Sequence, residues 1–252
     1  MPWNPDQYHK FTAERSAPFD DLLELVEIRP NLQVADLGCG TGGLTSRLAD
    51  ALPGSQVVGL DNSPPMLAKA APKARPGLRF ELGDQAALRG KWDLIFSNAS
   101  LHWSQDHPRL IASLFDLLLP QGQLAVQIPS NQEHISQRLI IEPAREAPFV
   151  NLLDGYVRMS PVLSIVDYAQ ILKDASAANI VVFEKVYPHL LESADAVVEW
   201  LSGTALIPYL ERLGPNSDSF LRVIREKMRA ALPGHPVFYP FRRILFSARR
   251  RA

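Results

Sequence analysis

The stretch Val34-Ala35-Asp36-Leu37-Gly38-Cys39-Gly40-Thr41-Gly42-Gly43 constrains the fold more than any other part of the chain. An apolar run ends in an acid and opens at once into a glycine-rich turn, and Leu44 to Leu52 then shows helical spacing. Glycine lets a backbone turn sharply and approach a ligand, while the first N–H groups of the following helix point back toward it. A strand, turn and helix of this kind open a doubly wound α/β sheet with a nucleotide-like ligand at its mouth.

Gly38 to Gly43 satisfies the G-x-G-x-x-G pattern of dinucleotide sites. Asp36 argues against that ligand, because a pyrophosphate would be brought close to a carboxylate. An acid beside a close-approach turn suits a cation instead. S-adenosylmethionine carries a sulfonium and an ammonium and no phosphate, so Asp36, Gly38, Gly40 and Gly42 are candidate cofactor residues. The alternative is a tight turn in which the aspartate merely accepts local N–H groups.

The pattern repeats. Gln56 to Asp61 reads as a second parallel strand ending in an acid, placed where Asp61 can accept from both hydroxyls of a ribose. Asn62, a candidate cofactor residue with Asp61, or Ser63 can cap the helix that starts at Pro64-Pro65, and Met66 lies early in it, against an adenine or in ordinary packing. Leu78 to Leu82 is a third strand, followed by Asp84 and Gln85, which can bond an exocyclic amine or simply form a turn. A fourth strand, Trp92 to Ser97, runs into Asn98-Ala99-Ser100-Leu101-His102-Trp103. Loops at the carboxyl ends of neighbouring strands line one crevice, which adds Asn98, Ala99 and Ser100 to the cofactor set and Trp103 to the acceptor side.

Helical spacing from Leu110 to Leu118 leads through Pro120-Gln121-Gly122 into a fifth strand, Gly122 to Ile128. His107 reads as part of that helix's entry turn. Residues 129–163 are turn-rich and broken by prolines, the expected composition of a cap or lid. Beyond them a helix is expected over Val166 to Ala175, a strand over Asn179 to Tyr187, helices over Ala194 to Leu213 and Asp218 to Leu232, and a last strand over Phe241 to Ala248. Near the start, a helix is expected from about Pro18 to Val26, preceded by a polar and aromatic arm.

The 252 residues suffice for one α/β domain, divided as an arm and first helix (1–30), a cofactor-binding core (31–128), a cap (129–163) and a C-terminal half (164–252). A net charge of -1 gives no general attraction for nucleic acid or anionic membranes, although Arg242, Arg243, Arg249, Arg250 and Arg251 are locally basic. Cys39 is the single cysteine, so neither an internal disulfide nor a cysteine-based zinc site is expected, and no metal is. The sequence shows no signal core or membrane-length apolar run, and a cytoplasmic location is expected.

With Asp61, Asp84 and the Asn98 loop following in order, the glycine turn resembles that of the class I S-adenosylmethionine-dependent methyltransferases. More narrowly, four stretches resemble the trans-aconitate methyltransferases: Trp3-Asn4-Pro5 with Tyr8, Phe11, Glu14, Arg15 and Ser16; Asn98 to Trp103; Ala125 to Pro129; and Pro240-Phe241-Arg242-Arg243. The resemblance implies a seven-stranded, mostly parallel sheet with an antiparallel last strand and a helical cap. It also implies a small polycarboxylate as acceptor. Ala17, Gly43-Leu44, Glu133 to Leu163 and Ala177-Ala178-Asn179 depart from the family pattern.

A carboxylate acceptor is already ionised at neutral pH and needs no catalytic base. Its spectator carboxylates need donors, and arginine's planar fork suits them, so Arg15, Arg242 and Arg243 are candidates, with Trp3, Tyr8, Trp103, Gln127 and Tyr239 as neutral partners. Adjacent strand residues face opposite sides, so one of Arg242 and Arg243 should be solvated. A hydroxyl or amine acceptor would promote His102 to a base. Another acid as acceptor, or cofactor binding without turnover, are the rival readings. No catalytic run or basic stripe points to a nucleic acid substrate.

Overall fold

The computed structural model describes residues 12–252, with 12–15 as backbone only. Trp3 and Tyr8 lie outside the described residues, as does the side chain of Arg15. In chain order the elements are α1 (Thr12–Glu24), β1 (Gln33–Leu37), α2 (Gly43–Ala51), β2 (Gln56–Asp61), α3 (Pro64–Ala70), β3 (Leu78–Leu82), β4 (Trp92–Asn98), α4 (His107–Asp116) and β5 (Leu118–Pro129). They continue with α5 (Ile135–Ala144), α6 (Phe149–Leu152), α7 (Ile165–Asp174), β6 (Ala178–Leu191), α8 (Ala194–Ser202), α9 (Ile207–Leu213), α10 (Ser217–Ala231) and β7 (Val237–Arg249).

The strands form one seven-stranded sheet in the order β3-β2-β1-β4-β5-β7-β6. β1 to β5 pair in parallel, and β7 runs antiparallel to β5. The order reverses between β1 and β4, which sets the ligand crevice at the carboxyl ends of those two strands. Chain contacts divide the protein into two compact units, Arg15–Pro129 with Pro161–Lys185 and Arg243–Ala252, and a helical unit containing Ser130–Ser160 and Val186–Arg242.

Strand alternation builds the two faces of the core unit. Val34, Leu94, Phe96, Ala125 and Leu245 face one way and pack under Phe19 and Leu22 of α1, Leu48 of α2 and Leu52 at its C-terminal cap. Ala35, Ile95, Leu124, Val126 and Phe246 face the other way, under Leu110, Ile111 and Leu114 of α4 and Tyr168 and Leu172 of α7. A strand covered on both faces has to be apolar on both, which is why these segments read as continuous runs. The helical unit has its own core, in which Trp200, Leu206, Tyr209, Phe220, Ile224 and Tyr239 are buried together.

Several boundaries differ from those expected of the sequence. α1 starts before Pro18 and runs through it. The stretch from Ala194 to Leu213 is two helices, separated at Gly203 to Leu206. Leu118, expected in a helix, opens β5 and pairs with Trp92, after which the register jumps to Leu94 opposite Gln123. The Pro120-Gln121-Gly122 turn is therefore a bulge inside the strand. Gly122 permits it, since a Cβ there would lie 2.7 Å from the Leu119 carbonyl oxygen.

Candidate active site

The glycine turn is built by three residues in the left-handed region: Gly38 at φ 73°, Gly40 at φ 54° and Gly42 at φ 75°. A side chain is strained at each of these angles. Two positions are also crowded, because a Cβ on Gly38 would meet Ser100 Oγ at 2.0 Å and one on Gly42 would meet the Phe80 ring at 2.7 Å. Gly43 is the first residue of α2 and a Cβ there meets nothing within 4 Å. Three of the four closely spaced glycines are thus required by conformation, and the departure at Gly43 has no structural demand behind it.

The turn is pinned from β2. Gly38 and Cys39 both donate their N–H groups to the Leu60 carbonyl, at 2.7 and 2.9 Å. Gly40 donates to Asp61 Oδ2 at 2.8 Å, and Ser63 donates to Asp61 Oδ1 at 2.9 Å. Asp61 therefore clasps the glycine turn to the start of α3, while Ser63, the cap residue of α3, makes no side-chain cap bond. Each carboxylate oxygen keeps a further lone pair for a ligand hydroxyl.

Asp36 is 5% exposed and accepts a 2.7 Å hydrogen bond from Thr45 Oγ1. Burial pushes its carboxyl up to about 7, against the Thr45 bond, and the nearby Asp61 charge adds to the rise. A buried carboxylate with a costly charge is a natural counterpart for a ligand cation. The Cys39 thiol is driven well above its ordinary range by burial and by both aspartates.

Around the turn, Met66 is buried at 4% exposure while Asn62 is exposed. Asp84 is exposed, and its Oδ1 accepts from Ala86 N at 2.7 Å, capping a short 3-10 turn. Gln85 is held within the protein: its Oε1 accepts from Ser100 Oγ at 2.7 Å and its Nε2 donates to Ser104 Oγ at 2.6 Å. Asn98 pairs with Gln127 in the β4–β5 ladder, and its Oδ1 is buried without a hydrogen-bond partner. Ala99 sits at φ 55° and donates its N–H to the Gln127 carbonyl at 3.0 Å. His102 lies beside Trp103, ring centroids 4.9 Å apart, and Trp103 is 42% exposed.

Gln127 and Arg243 come together on one face of the core unit, continuing the row of Ala125 and Leu245. Gln127 is fully buried, its Oε1 accepts from Arg243 Nη1 at 3.2 Å, and its Nε2 is buried with no hydrogen-bond partner. Arg243 is 4% exposed. Its neighbour Arg242 has a 40% exposed side chain that pairs with Glu133 at 3.3 Å. Tyr239 belongs to the helical unit's interior, where it is fully buried and bonded to Ser136 Oγ at 3.1 Å.

His107, expected in an entry turn, is the first residue of α4 and is buried. Its Nε2 bonds the Leu101 carbonyl at 3.0 Å and its Nδ1 bonds Tyr168 OH at 2.6 Å. Thr45, Ser104 and Tyr168 carry no sign of their roles in the sequence. Each acts through a partner at least nine residues away, a relation that spacing within one element does not display.

A methyltransferase domain matches residues 34–122. Over the full length, the trans-aconitate 2-methyltransferase of Deinococcus radiodurans is 49% identical, covering 99% of each chain. The chain belongs to the trans-aconitate 2-methyltransferase family. This methyltransferase is also 38% identical to the Variovorax paradoxus member, over 92% of its own length and 91% of the relative's. The Mycobacterium tuberculosis member is 36% identical, with 98% and 96% covered. The fold matches the YcgJ protein of Bacillus subtilis at TM-score 0.61 and 15% identity, over 94% and 99% of the two chains. It also matches a Haemonchus contortus phosphoethanolamine N-methyltransferase in complex with S-adenosyl-L-methionine, at TM-score 0.57 and 16% identity over 94% and 53%. This methyltransferase is S-adenosylmethionine-dependent and has the class I fold expected from its glycine turn. Among the described residues no helix is long and apolar enough to cross a membrane.

Proposed function

We propose that this methyltransferase transfers a methyl group to one carboxylate of trans-aconitate, giving a monomethyl ester. The observation that carries the reading is the buried Gln127 and Arg243 pair, in which a guanidinium and an unpartnered amide N–H₂ lie side by side at the carboxyl end of β5. Such a pair is built of donors and calls for an anion.

The donor site fits S-adenosylmethionine. Asp36 supplies a buried carboxylate for a cation, Asp61 an acceptor for hydroxyls, and Asn98 Oδ1 a buried acceptor still without a donor. The cofactor supplies an electrophilic methyl carbon on a sulfonium. A carboxylate oxygen of the acceptor forms the new C–O bond as the C–S bond breaks, and no proton moves. The protein then has only to align the acceptor and exclude water, and orientation alone lowers such barriers by about 7 to 11 kcal/mol.

Gln127 and Arg243 hold spectator carboxylates, because gripping the reacting group would weaken its nucleophilicity. Arg15, Trp3 and Tyr8 are proposed as further acceptor residues from the sequence alone. Arg242 is the weaker candidate of the strand pair, being solvated and matched with Glu133. Trp103 is kept on the acceptor side, Tyr239 is fixed within the helical unit, and His102 is not needed as a base. A cytoplasmic location suits the lone cysteine.

The test is a panel of small polycarboxylates incubated with methyl-labelled cofactor. Label recovered as an ester of trans-aconitate supports the reading. Transfer only to amines, hydroxyls or other acids, or binding without transfer, overturns it.

A further inference from the structure

The connection between β3 and β4 is unusual in carrying no α-helix. β2 and β1 lie between those strands in the sheet order, so the segment must cross three strand spacings, about 14 Å. It opens at the carboxyl edge with Asp84 and the short 3-10 turn Gln85–Ala87. From there the Gln85 side chain reaches the loop that leaves β4.

Three observations meet at that loop. Ala99 holds φ at 55°, an angle that costs a residue with a Cβ on the order of 1 kcal/mol and persists only where the surroundings enforce it. Ser100, the next residue, packs its hydroxyl so closely on Gly38 that no Cβ fits between them. The Gln85 amide then grips Ser100 through Oε1 and Ser104 through Nε2, with the Ser100 carbonyl a further 3.5 Å from Nε2. Both ends of the short 3-10 helix Leu101–Trp103 are therefore tied to one amide. An amide committed on both sides is poorly placed to read an adenine.

We infer that Gln85 is a positioning residue, which locks the strained Ala99-Ser100 turn onto the glycine turn and so sets where Asn98 and Trp103 stand during methyl transfer. The inference rests on the methyl-transfer reading only for its kinetic consequence. The conformational consequence belongs to the protein alone. Ser104 acts through the same amide, and the Ala99 N–H bond to the Gln127 carbonyl carries the effect to the acceptor side of the loop.

The test combines amide hydrogen exchange over residues 98–104 with steady-state kinetics, on the wild type, Gln85→Met, Ser104→Ala and the double variant. Gln85→Met keeps the length and removes both bonds. Exchange at Ala99 and Ser100 is expected to quicken at least tenfold in Gln85→Met, while kcat falls at least fivefold and affinity for S-adenosylhomocysteine stays within twofold. Ser104→Ala should move the same quantities less, and the double variant should match Gln85→Met within twofold. Unchanged exchange overturns the inference, as does quickened exchange with unchanged kcat. A tenfold loss of S-adenosylhomocysteine affinity at unchanged exchange returns Gln85 to a cofactor contact. Exchange is read without any acceptor, so a wild type that methylates no polycarboxylate would sink the proposed function while the exchange result still decides the role of Gln85.

Discussion

Thr45 Oγ1 donates a 2.7 Å hydrogen bond to Asp36 Oδ2, from the first turn of α2 to the end of β1, and both residues are buried. The bond favours the ionised carboxyl, but burial outweighs it and leaves Asp36 titrating at about 7.

The folded protein thus holds a proton on Asp36 that the unfolded chain releases near 3.8. Between those values the native state binds more protons, so this group's contribution to stability falls as pH rises through the window. The span corresponds to a few kcal/mol, on the order of 1.4 per pKa unit. Asp36→Asn should remove the fall, and urea unfolding at pH 5 and pH 8 would show it as a midpoint at pH 8 that rises relative to the midpoint at pH 5.

A cofactor cation favours the ionised carboxyl, so binding must expel that proton. Affinity for S-adenosylmethionine is expected to drop as pH is lowered from 8 through 7 to 6, by about fivefold for the last unit. Calorimetry in buffers of different ionisation enthalpy would report the released proton, and no proton release at pH 6 would contradict the assignment.

The glycines divide by conformation. Gly38→Ala places a Cβ at 2.0 Å from Ser100 Oγ at a φ of 73°, and should abolish cofactor binding. Gly43→Ala adds a methyl to open space at the first position of a helix, and should stabilise the protein by up to about 1 kcal/mol. Thermal melts and S-adenosylhomocysteine titrations distinguish them.

Arg243→Met should raise the KM for trans-aconitate at least tenfold while leaving S-adenosylhomocysteine affinity within twofold. Arg242→Ala should change KM less than threefold, because its charge is solvated and balanced by Glu133. Equal effects from the two variants would remove the basis for ranking them.

His107 is kept neutral by burial, which lowers its titration despite the helping Leu101 carbonyl. With Nε2–H donating to that carbonyl, Nδ1 must accept from Tyr168 OH, which in turn accepts from Leu163 N at 3.2 Å. The unfolded chain takes up a proton near 6.5 that the native state resists, so this group costs stability as pH falls through 6.5. Tyr168→Phe leaves the buried His107 Nδ1 and the part-buried Leu163 N–H without this partner and should destabilise by about 1 to 3 kcal/mol, measurable by denaturant unfolding.

The strands and the turn were legible because their causes are local. Val34, Ala35 and Leu37 are apolar since both faces are covered, and Gly38, Gly40 and Gly42 are glycines since each adopts positive φ. The limits of β5 were not legible, because a bulge at Gln121 and Gly122 looks like a strand end when the partner Trp92 is out of view. The division between Arg242 and Arg243 followed from strand alternation, though which one is buried did not. Gln85 reads as a ligand contact in the sequence because an amide beside a cofactor loop carries no mark of whom it bonds. Its partners Ser100 and Ser104 come close only through the order of the strands.

The Cys39 thiol sits in the glycine turn, kept protonated first by burial and then by the charge of the two neighbouring aspartates. A thiol in that state is a poor nucleophile toward peroxides and alkylating agents, since the thiolate is the reactive form. A turn built on three left-handed glycines therefore carries the chain's single cysteine in its less reactive, protonated form. Oxidants are expected to react with this turn more slowly than with an exposed thiolate.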